Sequence, residues 1–384
     1  MNAPMRYALM ACSLLLVLSC TAGPGSGVSV WNSAAGPAPS WAYVGDRNLS
    51  ASGSMWPVIA FSASGTPYVG CRDWGAGGDL TVHRFDGTAW QTVGWPSHAA
   101  VSGVFIGDPP QMVIGPDGNP IVAYENSTNY AEVKRFDGTQ WVPLPGTSAI
   151  VSDGIVNSVA LAIAGSTVYC AYQDDAHSNR LTVRVYDAPS QKWSDLGVGF
   201  SVNPVDIVHI SVDRTGRVWV VFEDIDGYNA LSLYMWNGSW SYIPHFRGTS
   251  TSATSSIGVD AAGVAWWAGQ DNSIYRARVL KYAGGSWATV GSPGFSTGEV
   301  RSASLGFGPG GVPWLAYEDN SLGWAVTVKK FTGTDWVGAG PDGFTPQGLS
   351  GYEGSMALAV DPEGNPWVAF EDPDNGGISV MAYK

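Results

Sequence analysis

Charge is scarce in this chain. Only 13% of its 384 residues are Asp, Glu, Lys or Arg, about half the usual share. The few charges lean acidic, 19 Lys and Arg against 32 Asp and Glu, for a formal net charge of −13. Such a balance offers no basic footprint to a phosphate backbone and argues against nucleic acid as a partner. Histidines are few and dispersed (His83, His98, His177, His209 and His245) without metal-ligand spacing, so neither metal nor cofactor is expected. Past Cys20 only Cys71 and Cys170 remain, in repeat units that are not neighbours, so both read as small buried hydrophobes and not as a disulfide. Beyond the first twenty residues no amphipathic run reaches helix length, which leaves an all-β chain.

What is abundant points the same way. Glycine occurs 50 times and tryptophan 18 times, and 45% of residues are apolar. Turn-forming and aromatic residues at these levels suit many short strands, and the apolar content is too high for a disordered chain. The N-terminus is a segment of another kind. Arg6 is followed by the uncharged run Tyr7 to Ser19, too short to span a bilayer comfortably, so residues 1–19 read as a signal peptide. The run ends in Val17-Leu18-Ser19-Cys20, which resembles the lipobox of bacterial lipoproteins, although Leu18 stands off the position of the stricter pattern. That resemblance implies lipidation of Cys20, a flexible tether over 20–39 rich in Gly, Ser and Pro, and a place in the bacterial cell envelope, periplasmic or at the surface. An ordinary cleaved signal with an incidental Cys is the alternative.

One pattern, Trp-x-x-(Val/Leu/Ile/Ala)-(Gly/Pro), begins at Trp41, Trp90, Trp141, Trp193, Trp240, Trp287 and Trp336, at intervals of 49, 51, 52, 47, 47 and 49 residues. That period belongs to propeller blades. Each unit reads as four strands: a short apolar first strand such as Met356 to Val360; a second ending in aromatic-polar-Asp, as in Tyr172-Gln-Asp174 or Phe370-Glu-Asp372; an alternating third; and a fourth carrying the Trp. The last unit stops at Lys384 after its third strand, while Ser40 to Gly45 is a fourth strand without its first three. Together they predict a seven-bladed β-propeller over 40–384, four antiparallel strands per blade, the last blade closed by the N-terminal strand so that no sheet edge stays open. Large and small residues alternate along the first strands (Ile59 and Phe61 around Ala60, Ile257 and Val259 around Gly258), as converging blades require.

Val185-Tyr-Asp187 followed by Trp193 resembles the Tyr-to-Trp element of kelch repeats in galactose-oxidase-like propellers, and Asp361 to Trp367 resembles a turn of bacterial propeller lipoproteins. The double Gly of kelch units is replaced here by aromatic-polar-Asp. The resemblance therefore implies the fold and no catalytic residue.

Candidate site residues lie in the loops. Asp73, Asn126, Asp174, Asp224, Asp271, Asp319 and Asp372 recur one per blade and are expected to ring one face. They either capture a cation or cationic ligand, or accept backbone N–H bonds within their own loops. Asp224-x-Asp226-Gly-x-Asn229 lacks the later Glu of a calcium loop. Aromatics that break the repeat (Trp74, Trp95, Tyr130, Tyr228, Trp324, Tyr352) are candidates to stack on a sugar or anchor a protein, or they tuck under their loops. Gln111 and His209 are polar where first strands are otherwise small, and are expected to line the axial channel. Gly294-Phe-Ser296-Thr-Gly298 matches the nucleophile-elbow spacing but has no downstream His, and it recurs as Gly199-Phe-Ser201 and Gly343-Phe-Thr345, so its Phe is read as a loop anchor. Ser211-Val-Asp213 to Gly216 departs from a sialidase Asp-box by its spacing. The seven repeat Trp residues are expected in the core. These features lead to a non-enzymatic, monomeric binding module presenting one face to a protein or glycan, with a propeller glycosidase or lyase as the alternative.

Overall fold

The computed structural model describes residues 38–384 apart from 51–52, 95–99, 102–108, 226–229, 244–254, 261 and 350–353. Cys20 and the signal and tether segments lie outside the described residues, as do Trp95, Tyr228, Tyr352 and Asp226. The chain from Pro39 to Lys384 is one compact unit.

Seven antiparallel sheets form the blades of a propeller. Blades 1 to 7 open with the strands Ser54–Phe61, Gln111–Ile114, Val159–Ala164, Val205–Val212, Ser256–Val259, Val300–Phe307 and Met356–Val360. Their second strands are Pro67–Asp73, Pro120–Glu125, Thr167–Asp174, Val218–Asp224, Ala265–Asp271, Pro313–Asp319 and Pro366–Asp372. In blades 1 and 2 the third strand also pairs with an additional segment, Ala100–Val101 and Ile150–Ile155. The closure read from the two chain ends is present: Trp41 pairs with Tyr383 and Tyr43 with Met381 in blade 7.

The core is divided among the interfaces. Seven apolar clusters each join two adjacent blades. A second strand supplies both of its neighbours, because successive side chains leave opposite faces. Ile121 and Ala123 pack toward blade 3, Val122 and Tyr124 toward blade 1. Burial on both faces explains why these strands read as unbroken apolar runs such as Val218 to Phe222. At the hub the small residues have a steric cause: a Cβ on Gly258 of blade 5 would lie 2.6 Å from the Phe307 ring of blade 6.

Hydrogen bonds stitch blade to blade at two radii. Near the axis the hydroxyls of Ser158, Ser256 and Ser304 accept the backbone N–H of Val208, Leu305 and Leu358 in the following blade, at 2.9–3.0 Å. At the rim the indoles of Trp41, Trp90, Trp141, Trp240 and Trp336 donate to backbone carbonyls of the preceding blade. The expectation that the repeat Trp residues are core is thus corrected: all but Trp336 are half-buried, because each must straddle an interface at the outer strand. The Gly-Phe-Ser/Thr element completes the stitch. Phe200, Phe295 and Phe344 stack on Trp240, Trp336 and Trp41 of the next blade, with interplanar angles of 17°, 17° and 3°.

Candidate functional site

First strands begin, and second strands end, at one face of the propeller: Ser54 pairs with Asp73, Val205 with Asp224 and Val300 with Asp319. The loops after the second strands therefore crowd this face, and strand alternation sorts their polar ends. The final Asp turns toward the preceding blade. The residue before it (Arg72, Glu125, Gln173, Glu223, Gln270, Glu318, Glu371) turns toward the following one, as when Glu371 accepts the N–H of Trp56 in blade 1.

Each residue of the ring is already engaged, within its own loop or by a neighbouring segment. Asp73 accepts from Gly75 N–H at 2.8 Å and caps the 3-10 turn Trp74–Ala76. Asn126 accepts from Thr128 and Tyr130, and Asp271 and Asp319 each accept from the backbone and hydroxyl of a serine two residues on. Asp174 accepts hydrogen bonds from Thr182 and His177, and Asp224 from Asn203. Asp372 is held by Arg47 and Ser379. Asp271 lies below the usual carboxylate range: although burial opposes ionisation, the Ser273 donors and Arg278 outweigh it. Carboxylates committed in this way fix loop shape. Among the described residues no group of three or more His, Cys, Asp or Glu could hold a metal ion.

The candidate aromatics diverge. Tyr130 and Trp324 are half-buried, and the guanidinium of Arg301 covers the Trp324 ring at 3.8 Å while its Nε is bonded to buried Glu318. Trp74 remains 47% exposed. Arg72 stacks on it at 4.2 Å and fixes its orientation. The ring borders a cleft of about 310 Å³ where the last and first blades meet, lined also by Gly53, Ser54, Met55, Glu371 and Asp372. An aromatic edge beside carboxylates suits a ligand with an apolar ring face and hydroxyl edges.

A second cavity, of about 210 Å³, sits on the axis at the same face. Both polar residues singled out in the first strands, Gln111 and His209, are in its wall. Burial pushes His209 down to about 4, so its imidazole is neutral at physiological pH. The first strands of blades 1, 4 and 6 carry bulges, between Met55 and Val58, Asp206 and His209, and Arg301 and Ser304. At each bulge a non-glycine residue takes a positive φ: Trp56 at 57°, Ile207 at 45° and Ser302 at 52°. Each such residue costs on the order of 1–3 kcal/mol, and bulges re-aim side chains. Ile207 and Ser302 consequently border the cavity. No glycine marks these bulges, so the sequence carried no signal for them.

Other motifs are structural. The Ser296 hydroxyl donates to Gly298 O and accepts from Ala277 N–H, which leaves no nucleophile. Asp213 accepts from Thr215 and Arg217 within its turn. Cys71 and Cys170 are free and buried.

No family model matches the chain, and no curated protein matches it. The kelch-like element around Trp193 therefore carries no family assignment. Solved structures do match in fold. A fucose-specific lectin from Aleuria aurantia superposes with a TM-score of 0.51 at 16% identity, over 80% of this chain and 100% of the lectin. The SapL1 lectin, solved with α-methyl fucoside, gives 0.52 at 18% identity over 75% and 96%. A PL25 ulvan lyase bound to -[GlcA(1-4)Rha3S]- gives 0.53 at 11% identity over 88% and 95%. At these identities the likeness is one of fold. It corrects one expectation, that missing catalytic motifs make the chain a non-enzyme: the same architecture carries a polysaccharide lyase, so neither the fold nor the absence of a familiar motif excludes catalysis. Nor does the lyase lend this chain an activity.

Proposed function

We propose that this propeller recognises carbohydrate on its loop-rich face, at the cleft beside Trp74. The observation that carries the reading is Trp74 itself, an indole 47% exposed yet held by Arg72 next to Glu371 and Asp372. A sugar ring stacked there loses little orientation entropy in the protein, because the platform is already fixed. The lectin and lyase neighbours support the class of ligand through their shared fold. A glycan array probed with the mature protein tests it. Trp74→Ala is expected to weaken binding to the array by about 1–3 kcal/mol, while leaving the thermal midpoint unchanged. An array profile unchanged in that variant defeats the assignment.

We further propose export and anchoring through Cys20, a reading supported by the residues Val17 to Cys20 and the polar tether after them. Cys20→Ala is expected to move the protein from the membrane fraction to the soluble one. A variant still on the membrane refutes the anchor.

A further inference from the structure

The axial cavity is separate from the Trp74 cleft, and its chemistry is unusually uniform for so acidic a chain. The described residues of its wall include no Asp, Glu, Lys or Arg, and His209, the one titratable group, is held neutral by burial. What faces the space instead is a set of neutral hydrogen-bonding groups. The hydroxyls of Ser158, Ser256 and Ser304 each accept a backbone N–H from the neighbouring blade. A hydroxyl that accepts one such bond still has its own O–H to donate. Gln111 adds an amide with an oxygen acceptor, and the neutral imidazole of His209 adds one donor and one acceptor. Apolar surface from Ile207 and Met356 alternates with these groups.

We infer that this cavity is a binding site for a neutral, polyhydroxylated small ring, a single sugar residue in chemical class. The fit is one of size and polarity. A water requires on the order of 10–15 Å³ of such space, so about 210 Å³ is a chamber for a small ligand and not a lone-water niche. Donors that can turn, an amide and an imidazole match the paired donor and acceptor character of vicinal hydroxyls, whereas a charged ligand would meet no counter-ion among the described residues of the wall. Two bulged strands, those of blades 4 and 6, place Ile207 and Ser302 at its wall. The inference rests on the carbohydrate reading for the ligand's class alone, and its site is independent of Trp74. A free sugar and the terminal residue of a chain present the same chemistry here.

The test is isothermal titration of the mature protein with L-fucose, D-galactose, D-glucose and D-glucuronate, on the parent chain, Gln111→Leu, His209→Phe and Trp74→Ala. At least one neutral sugar is expected to bind at one site per chain, and D-glucuronate at least tenfold more weakly. Gln111→Leu and His209→Phe are each expected to weaken the neutral sugar about tenfold, whereas Trp74→Ala leaves it unchanged. If either variant loses its fold by circular dichroism, Gln111→Glu, nearly isosteric, takes its place with the same expected loss. A disaccharide ending in the bound sugar separates the sources: competition at the same residues identifies a chain end, and exclusion identifies the free sugar. Overturning results are a chamber that binds none of the neutral sugars, or binding that only Trp74→Ala removes. The second leaves the Trp74 reading intact while refuting the axial site, and array binding untouched by Trp74→Ala together with axial binding lost in Gln111→Leu and His209→Phe does the reverse.

Discussion

Glu125 provides the sharpest test of how the interfaces between blades work. It follows Ile121 and Ala123 on the strand face that packs on blade 3, it is 6% exposed, and burial pushes its carboxyl up to about 7 from an ordinary 4.5. A raised carboxyl pKa means that the folded chain holds a proton that the unfolded chain has already released. Stability is therefore full below about pH 4.5 and is lost as pH rises through about 7, where the buried group ionises. The difference of about 2.5 pKa units corresponds to about 3 kcal/mol as an upper figure. Glu125→Gln keeps the shape and removes the ionisation. Unfolding free energies from urea titration, taken at intervals between about pH 4 and pH 8, are expected to show variant and parent converging at the acid end. The variant gains toward about 3 kcal/mol at the alkaline end. A gain equal at all pH values, or none near pH 8, would refute the assignment of a desolvated carboxyl.

Two further perturbations address the packing directly. His83, 4% exposed on the third strand of blade 1, is pushed down to about 4 by burial. Its stabilising contribution is present above about pH 6.5 and fades as pH falls toward 4, so His83→Gln is expected to flatten that acid limb by up to about 3 kcal/mol in the same urea series; a limb of unchanged slope would show that His83 is not the group responsible. Gly258→Ala places a methyl 2.6 Å from the Phe307 ring and is expected to lower unfolding free energy by about 1–3 kcal/mol; a neutral outcome would mean the two first strands are not interlocked at that point.

Much of the fold was legible because its signals are repeated and local. A Trp every fifty residues or so, aromatic-polar-Asp at the end of four second strands and a fourth strand split from its blade define seven sheets without any long-range information. The Gly-Phe-Ser/Thr recurrence identified Phe200, Phe295 and Phe344 as anchors, and the structure supplies their Trp partners. What could not be read is how side chains divide between two neighbours. Seven Trp residues in register look like core, yet their indoles lie at interfaces, where five of them donate to backbone carbonyls. Trp74 and Trp324 are alike as loop aromatics and each lies under a guanidinium, of Arg72 and of Arg301, yet only Trp324 is half-buried while Trp74 stays exposed. The bulges themselves were invisible, since Trp56, Ile207 and Ser302 are not residues that announce a positive φ. Gln111 and His209 were visible as polar intruders in the hub, and they mark the cavity.

The pairing of Trp41 with Tyr383 has a consequence for biogenesis. A chain emerging from a ribosome keeps Trp41–Tyr43 without its strand partner until Met381–Tyr383 has followed. Six blades can assemble in sequence from local hairpins, while the seventh waits for a contact between the two chain ends. Such a long loop closes slowly, and until it does, one strand edge of the nascent protein stays open to pairing with other chains. Loss of only the last few residues would thus leave a nearly complete product without its latch.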